Sequence, residues 1–297
     1  MNPRPTVIIT GSSGFVGSAL VSYFFKLGFQ VRAFQRRLPK QSDPPAAYYS
    51  FDLAEVKDQG FAGADYLIHC AYQSIISRQE KKSDMNTDIE GTKKVISLSR
   101  KYAIKIVFLS TISAHPKAES YYARNKLLAE GLFDTKKDLI LKLGLVLGDG
   151  GGLFGKIISS LTNNKIVPLV GGGRQHIQTI ALDDLCRIIE IGINKNIVGN
   201  FTIAHPSIIT MNELYRKIAR CIGVKPLFIP VPLIVTYRLS QLMEMMGFKL
   251  PFTSENVLGL KDLKTFNTNP DLEVFGLKVK DYKTTLNQLS FLSNANQ

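Results

Sequence analysis

A tyrosine and a lysine four positions apart are the side chains in this sequence best placed to do chemistry together. Tyr122 and Lys126 belong to the segment YARNK, and residues four apart share one face of a helix. A tyrosine with an ordinary pKa of about 10 is a poor base at neutral pH. A nearby ammonium favours the phenolate, so the spacing predicts that Lys126 lowers the pKa of Tyr122 and makes it an acid–base catalyst. Tyr121 has no lysine four residues later. The same spacing also occurs on ordinary solvated helix faces.

Three glycines near the start of the chain indicate a site for phosphate groups. They lie in the stretch TGSSGFVGSAL, directly after the apolar run TVIIT. A strand, a glycine turn and a helix in this order bring backbone N–H groups and the positive end of a helix dipole close to a diphosphate. Glycine lets the backbone approach the phosphates. A plain turn rich in small residues gives a similar pattern. We expect the turn to bind a dinucleotide through Gly11, Ser13, Gly14, Phe15, Val16 and Gly17.

The elements that must hold these residues alternate regularly along the first half of the chain. Apolar, β-branched runs alternate with segments of helix-like apolar spacing from TVIIT to LILKLGLVLG. We expect the segment LILKLGLVLG to be a single strand. Such alternation predicts an α/β fold, a Rossmann-type doubly wound parallel sheet with helices on both faces. We expect a dinucleotide-binding domain over residues 1–150. A smaller, mixed α/β C-terminal substrate lobe is expected over residues 151–297, with some segments returning to the sheet.

Together these segments resemble the extended short-chain dehydrogenase/reductase superfamily, in its branch of NAD(P)-dependent sugar-nucleotide epimerases and dehydratases. The turn is similar to the family's TGxxGFxG, and YARNK follows the strand FLST as in the family. The segments LKLGLVLGDGGG, IALDDL and LPFTSENVLGL are similar to later parts of these enzymes. The resemblance implies that Thr111 orients the substrate oxygen and that Tyr122 gives or takes its proton. It also implies that Lys126 binds the nicotinamide ribose. Ser110 and Ser113 are the alternatives to Thr111.

Further cofactor contacts follow from the same resemblance. The family holds the adenine ring with an aspartate followed by an apolar residue, which Asp52 and Leu53 match in FDL. The segment HCA is similar to the strand end that runs along the cofactor, which implicates Cys70 and Ala71. Ordinary loop and strand ends are the alternative interpretation of both segments.

The cofactor preference rests on the segment AFQRR. An NAD site usually places a carboxylate at the end of the second strand, where it binds the ribose 2′-hydroxyl. Here the residues are Gln35, Arg36 and Arg37. Guanidinium groups make charge-assisted bonds to a 2′-phosphate. We therefore expect NADP rather than NAD, with both arginines as ligands. The alternative is that both arginines lie on the solvated surface.

Departures from the family's motifs bear on the reaction. Its dehydratases place an Asp–Glu pair after the Ser/Thr, where Ile112 and Ser113 stand here, so a dehydratase is disfavoured. Asp88 replaces the usual Asn of a helix segment, and the usual diphosphate-binding Arg is missing, with Arg174 as a substitute. We expect an epimerase or oxidoreductase that transfers hydride at a hydroxyl or carbonyl carbon of a nucleotide sugar, with Ser113 and Arg174 as substrate contacts. The alternatives are a reductase of a non-sugar carbonyl or hydroxyl compound and a catalytically idle NADP-binding protein.

Composition narrows the class of partner. The net charge of +13 favours anionic partners. The lysines are scattered without a long basic block, so we expect a phosphate-bearing small molecule and no nucleic acid. The three cysteines lack zinc-type spacing, and we expect no metal site. The N-terminal segment lacks a signal-peptide layout, which predicts a cytoplasmic protein. The resemblance implies a homodimer formed through helices that flank the sheet.

One segment near the C-terminus stands apart from these motifs. VPLIVTYRLSQLMEMMGF, residues 231–248, has helix-like apolar spacing interrupted by Arg238, Gln241 and Glu244. We expect the helix to pack its apolar face on its own domain. Contact with a membrane surface or a partner protein is the alternative.

Overall fold

The computed structural model of the chain describes residues 4–39, 46–72, 81–149, 151–248 and 253–289, without the side chains of residues 81–85. The strands, in chain order, are β1 (Thr6–Thr10), β2 (Gln30–Gln35), β3 (Ala47–Ser50), β4 (Tyr66–His69), β5 (Lys105–Thr111), β6 (Leu139–Leu143), β7 (Leu145–Leu147), β8 (Ile166–Val170), β9 (His176–Ile177), β10 (Thr179–Ala181), β11 (Gly199–Ile203), β12 (Ile209–Thr210) and β13 (Leu227–Val231). The helices are α1 (Phe15–Lys26), α2 (Lys81–Lys101), α3 (Tyr121–Glu130), α4 (Gly152–Asn163), α5 (Leu182–Asn194), α6 (Met211–Cys221), α7 (Leu233–Met245), α8 (Ser254–Lys261), α9 (Asn269–Phe275) and α10 (Tyr282–Gln288). The first residues of LPFTSENVLGL, at positions 250–252, lie outside the described residues.

One large parallel sheet has the strand order β3–β2–β1–β4–β5–β6–β11. In this sheet Val7 of β1 lies opposite Val31 of β2 on one side and Tyr66 of β4 on the other. The chain builds outward from β1 to β3 and then adds β4 on the other side of β1. The loops that leave the carboxyl ends of β1 and β4 therefore diverge, which is the switch point of a doubly wound sheet. The predicted Rossmann-type fold is confirmed.

The central strands are apolar along their whole length because helices cover them. All five residues of β1 are buried, as expected of a parallel strand between two helix layers. Val95 of α2 and Ala129 of α3 belong to one core cluster with Phe34 and Phe108 of the strands. Burial of each large apolar side chain contributes about 1.5–3 kcal/mol. This packing fixes the carboxyl edge of the sheet, where the glycine turn and the end of β4 lie.

Two compact units share the chain, and each is built from separate segments. The first, called here the sheet unit, comprises Met1–Ser110, Asn125–Lys142 and Cys186–Phe201. The second unit comprises Thr111–Arg124, Leu143–Leu185 and Thr202–Gln297. The segment Cys186–Phe201 brings most of α5 and part of β11 back to the sheet unit. Each unit takes segments from both sides of residue 150. The division into two domains at that residue stays a prediction.

The predicted single strand LILKLGLVLG is two strands. β6 belongs to the large sheet, whereas β7 pairs in parallel with β10 in a separate two-stranded sheet. At the junction, a Cβ atom on Gly144 would lie 2.6 Å from the carbonyl oxygen of Gln178. Glycine therefore permits the close approach by which the chain leaves the large sheet. The apolar pattern runs through this position without a break, which is why the sequence predicted one strand.

Helix α7 differs from its prediction in orientation. The expectation that its apolar face packs on its own domain is wrong, because apolar side chains such as Ile234, Leu239 and Met245 are exposed. Among the described residues, no helix is both long and apolar enough to cross a membrane.

Candidate active site

The glycine turn after β1 is packed so tightly that two of its glycines have no substitute. Gly11 has φ +67°, in the left-handed region, and a Cβ atom there would lie 2.9 Å from the backbone nitrogen of Ala71. A Cβ atom on Gly17, inside α1, would overlap the carbonyl oxygen of Gly11. Gly14 is exposed and forms the N-cap of α1. Gly11 and Gly17 thus let the turn close on α1 and on the end of β4.

The N-terminus of α1 is the part of this turn that can receive an anion. Within the described chain, no side chain caps this helix end, and no acidic residue lies in its first turn. Ser13 is exposed, and Phe15 and Val16 are half-buried. Uncapped N–H groups and the positive end of the helix dipole together favour a phosphate group.

A buried threonine joins the ends of the two strands that flank the switch point. Thr10 Oγ1 accepts hydrogen bonds from the backbone N–H groups of Cys70 and Ala71, each at 3.1 Å. Its own hydrogen is then donated to His69 Nδ1 at 2.8 Å. His69 Nε2 carries the ring proton in this arrangement and donates it to Thr92 Oγ1 at 3.2 Å. Complete burial lowers the pKa of His69 to about 3, so the ring is neutral and structural.

The end of β2 carries the residues predicted to select the cofactor. Gln35 is buried and joins two loops, because it accepts from Ser12 Oγ at 3.0 Å and donates to the Arg37 carbonyl oxygen at 2.8 Å. Arg36 and Arg37 are both exposed. The structure therefore places two accessible guanidinium groups directly after the strand, and the described residues 36–39 that follow it include no carboxylate.

The remaining predicted cofactor residues are held by local hydrogen bonds and packing. Asp52 is half-buried, and its Oδ1 accepts the N–H of Ala54 at 2.9 Å. Leu53 is buried. Cys70 follows β4, and burial raises the pKa of its thiol to about 12. Cys70 is thus a neutral thiol at physiological pH, with a positioning role through its backbone.

Lys126 is buried in the sheet unit instead of lying on a solvated helix face. Only 6% of the residue is exposed. Its Nζ donates a hydrogen bond to the Leu109 carbonyl oxygen at 2.9 Å. The ammonium also lies 4.8 Å from the ring centroid of Phe108 and 5.2 Å from that of Tyr72, where ring faces attract a cation. These contacts hold the lysine at one defined position.

Burial and neighbouring charges set the protonation state of this lysine. Burial lowers the pKa of Lys126 to about 8, while the nearby acidic residues Asp88 and Glu130 oppose the shift. The ammonium is therefore retained at neutral pH. Asp88 is itself buried and accepts a hydrogen bond from Asn125 Nδ2 at 2.9 Å. The residue that departs from the usual family pattern is thus held in place next to α3 by Asn125.

The hydroxyl groups at the end of β5 have different surroundings. Ser110 is buried and donates a hydrogen bond to Glu130, whose other oxygen lies 3.1 Å from Lys142 Nζ. Thr111 is half-exposed, and its Oγ1 accepts the N–H of Ser113 at 3.3 Å. Ser113 itself is buried. Of the three hydroxyl groups, only that of Thr111 is on a residue with appreciable exposure.

Tyr122 is the accessible member of the tyrosine pair at the start of α3. It is 42% exposed, whereas Tyr121 is 6% exposed. The helix start is fixed by Asp262, whose Oδ2 accepts the N–H of Ser120 at 2.7 Å. Desolvation raises the pKa of Tyr122 to about 12 despite the exposed part of the ring. This direction is opposite to the one predicted from Lys126, because desolvation disfavours the phenolate.

The second unit contains a basic cavity of about 500 Å³, which the sequence indicated only through Arg174. Its lining residues are Arg174, Gln175, His176, Leu233, Leu260, Lys261, Leu263, Lys264 and Thr265. Lys261 forms an ion pair with Glu119. Gln175 Nε2 donates to the Val170 carbonyl oxygen, and its Oε1 is buried without a hydrogen-bond partner among the described residues. This cavity, called here the basic cavity, offers cations and one buried acceptor to a ligand.

A family model settles the relationship that these features indicate. The model described as the NAD dependent epimerase/dehydratase family matches residues 7–201, which is more than half of the chain. The chain belongs to this family. The matched region includes the glycine turn, the carboxyl ends of β1 and β4, and all of α3. The resemblance to extended short-chain dehydrogenases, stated from the sequence, is thereby confirmed.

Two curated relatives show how far sequence similarity extends in this epimerase/dehydratase family. A UDP-glucose 4-epimerase from Rickettsia conorii is 25% identical over 190 residues, covering 55% of this chain and 55% of the relative. The chain thus spans about half the length of this relative. An epimerase family protein from Arabidopsis thaliana, the chloroplastic SDR39U1 homolog, is 24% identical over 261 residues, covering 76% of this chain and 73% of the relative.

Solved structures of the epimerase/dehydratase fold cover nearly the whole chain. MoeE5, in complex with UDP-glucuronic acid and NAD, has a TM-score of 0.75 at 17% identity, covering 98% of this chain and 100% of that structure. A UDP-N-acetylglucosamine 4-epimerase from Methanobrevibacter ruminantium M1 has a TM-score of 0.72 at 16% identity, covering 99% and 98%. At these identities the likeness shows a shared fold, while the substrate must be argued from the site.

Proposed function

We propose that the chain is an NAD(P)-dependent epimerase or oxidoreductase that transfers hydride at a hydroxyl- or carbonyl-bearing carbon of a nucleotide sugar. The observation that carries the proposal is the state of Lys126. It is buried, hydrogen-bonded and charged at neutral pH, one helical turn from the accessible Tyr122 on α3. A solvated helix face would leave the lysine in water, and a catalytically idle binder has no use for a buried ammonium at this position.

The residues around the switch point fit a dinucleotide cofactor. The first turn of α1 has uncapped N–H groups and no acid to repel a phosphate. The residues proposed to hold the cofactor are Gly11, Ser13, Gly14, Phe15, Val16, Gly17, Arg36, Arg37, Asp52, Leu53, Cys70, Ala71, Tyr122 and Lys126. When bound, NAD(P) supplies a nicotinamide carbon that accepts or donates hydride.

The protein's own part in the chemistry is to orient the substrate oxygen and move its proton. With a pKa of about 12, Tyr122 is a neutral phenol at neutral pH and can donate to a carbonyl oxygen that is being reduced. The ammonium of Lys126 then favours the phenolate that remains. Thr111, the half-exposed threonine at the end of β5, is proposed to hold the same oxygen in position through its hydroxyl. Ser110 is already engaged with Glu130.

We propose NADP as the cofactor because two exposed arginines follow β2. Arg36 and Arg37 can bind a 2′-phosphate, and the buried Gln35 is committed to Ser12 and the backbone of Arg37. The structural neighbour MoeE5 holds NAD, which favours the other cofactor. Titration of the purified protein with NADPH and with NADH decides between them. Tighter binding of NADPH is expected, and equal or tighter binding of NADH would contradict the preference.

We propose that the basic cavity binds the diphosphate side of the substrate. Arg174 and Lys264 are exposed cations that suit phosphate oxygens, and the buried Gln175 Oε1 suits a hydroxyl or N–H donor of a nucleoside. The apolar Ile112 is buried in the place of the acid pair that dehydratases carry. This supports an epimerase or reductase over a dehydratase.

Incubation with UDP-, GDP- and dTDP-sugars, followed by NMR of the sugar product and absorbance of the nicotinamide, tests the proposed function. Inversion of one sugar centre with no net change in cofactor absorbance identifies an epimerase, and stoichiometric NADPH consumption identifies a reductase. If no nucleotide sugar is converted while a simple carbonyl compound is reduced, the nucleotide-sugar assignment is wrong.

A further inference from the structure

Helix α7 presents its apolar side to solvent. Six apolar side chains along the helix and its C-cap are between 51% and 77% exposed: Ile234, Val235, Leu239, Leu242, Met245 and Met246. At 100° per residue these positions fall within one side of the helix, because Val235, Leu239, Leu242 and Met246 are spaced three or four apart and the other two flank them. This face, with the exposed Arg238 inside it, is called here the α7 stripe.

The opposite side of α7 is polar and packs within the second unit. Ser240 is buried. The carboxylate of Glu244 accepts hydrogen bonds from the backbone N–H of Ser254 at 2.6 Å and from its hydroxyl at 2.8 Å. Gln241 donates to Tyr237 Oη at 2.9 Å. The helix is therefore inverted relative to an ordinary surface helix, whose apolar side faces the core.

Apolar exposure continues in the strand that leads into the helix. Leu227 and Ile229 of β13 are exposed, and so is Ile166, which lies opposite Leu227 in β8. Phe248, just after the helix, is exposed as well. Large exposed apolar surfaces usually mark a site of interaction with another molecule or a membrane. A single chain segment, from Leu227 to Phe248, thus carries most of the exposed apolar residues of the second unit.

The charges on and beside the α7 stripe identify the occupant. Arg238 is its charged residue, because the acidic Glu244 is turned toward Ser254. Leu233, at the start of α7, lines the basic cavity together with Arg174 and Lys264. Apolar residues flanked by cations complement a bilayer that contains anionic lipids. A second copy of a chain with net charge +13 would instead be repelled.

We propose that the α7 stripe inserts into the surface of an anionic lipid bilayer, with Arg238 facing lipid headgroups. The apolar side chains enter the boundary between headgroups and acyl chains, and the polar side of α7 stays on the protein. The proposal does not depend on the reaction that the chain catalyses.

Co-sedimentation of the full chain with vesicles tests this proposal. Vesicles of phosphatidylcholine mixed with phosphatidylglycerol are expected to bind the protein at low salt, and vesicles of phosphatidylcholine alone are expected to bind it much less. The double variant Leu239→Glu/Met245→Glu should lower the bound fraction roughly ten-fold or more, because each acid replaces an inserting apolar group. Val274→Glu, a change at an exposed apolar residue of α9, is the matched control and should bind normally.

Folding and self-association are measured on the same proteins. Unchanged melting temperatures show that the variants are folded, which is expected because the substituted side chains are exposed. Absence of binding to phosphatidylglycerol vesicles, or equal binding by the double variant, overturns the proposal. A dimer in sedimentation velocity that Leu239→Glu/Met245→Glu dissolves, without vesicle binding, would assign the α7 stripe to a second copy of this chain.

Discussion

The switch point of the sheet unit and the basic cavity of the second unit hold their polar groups in different ways. Near the switch point, Thr10, His69 and Lys126 are buried, and each makes a hydrogen bond that fixes it. In the basic cavity, Arg174 and Lys264 are exposed cations. Buried networks in a low dielectric are rigid and costly to disturb, whereas exposed charges adapt at little cost. We propose from this difference that the first region holds the cofactor and that the basic cavity selects the substrate.

The largest effect is expected from Gly17→Ala. The added Cβ meets the Gly11 carbonyl oxygen and the Cα of Ser12, which are backbone atoms that cannot move aside. We expect a loss of about 3 kcal/mol in the free energy of unfolding, measured in urea, and loss of NADPH binding. Gly155→Ala is the control, because a Cβ there meets nothing within 4 Å, and it should stabilise α4 by about 0.5–1 kcal/mol. Equal effects of the two substitutions would contradict the packing argument.

A smaller loss is expected from Thr10→Val. This change removes the acceptor of two backbone N–H groups and the partner of His69 Nδ1. Unpaired buried groups cost about 1–3 kcal/mol, so we expect a loss of about 2 kcal/mol in the same unfolding assay. Thr6→Val on the same strand removes only a side-chain bond of 3.4 Å to Gln30 and should cost far less. Similar losses at both positions would contradict the importance assigned to the hydrogen bonds of the Thr10 hydroxyl.

Lys126 gives the sheet unit a pH dependence whose sign is fixed by its lowered pKa. The pKa falls from 10.5 to about 8 on folding, so between these values the unfolded chain binds more protons. Stability due to this group therefore rises with pH across that window and is lowest below about pH 8. Compared with Lys126→Met, the cofactor-free parent should gain on the order of 1 kcal/mol between about pH 8 and pH 10. A parallel pH dependence of the two proteins would contradict the assigned burial.

The smallest effect is expected in the basic cavity. Arg174→Gln/Lys264→Gln removes two exposed cations without leaving a buried group unpaired. The KM for a nucleotide sugar should rise by roughly three- to ten-fold while kcat stays nearly constant, because exposed charge pairs contribute about 0.2–1 kcal/mol each. Steady-state kinetics measure both quantities. A large fall in kcat would place these residues in the chemistry and remove the contrast between the two regions.

Local sequence patterns predicted most helices and strands. Contacts between residues distant in sequence decided where the structure differs from the prediction. The α6 helix begins directly after its N-cap Thr210, because Thr210 and Glu213 form a capping box within four residues. The break at Gly144 depends on Gln178, and the orientation of α7 depends on the polar contact between Glu244 and Ser254. The local pattern is continuously apolar around Gly144 and amphipathic in α7, and neither pattern records these contacts.

Some features of the candidate site likewise follow from local sequence, and others depend on distant segments. The placement of Tyr122 and Lys126 on one helix follows from spacing alone and agrees with α3. The direction of the Tyr122 pKa shift does not, because desolvation depends on segments distant in sequence. The bond between Thr10 and His69 joins residues 59 positions apart, and no local pattern marks it.

The most direct test of the account is the turnover of Tyr122→Phe compared with its binding of NADPH. Removing the phenol oxygen leaves the helix and Lys126 in place, so NADPH affinity should stay within about three-fold of the parent, whereas turnover should fall by roughly 10²–10⁴-fold. Tyr121→Phe, at the buried neighbour, should keep most of the activity. Full turnover by Tyr122→Phe would contradict the assignment of this tyrosine as the acid–base group.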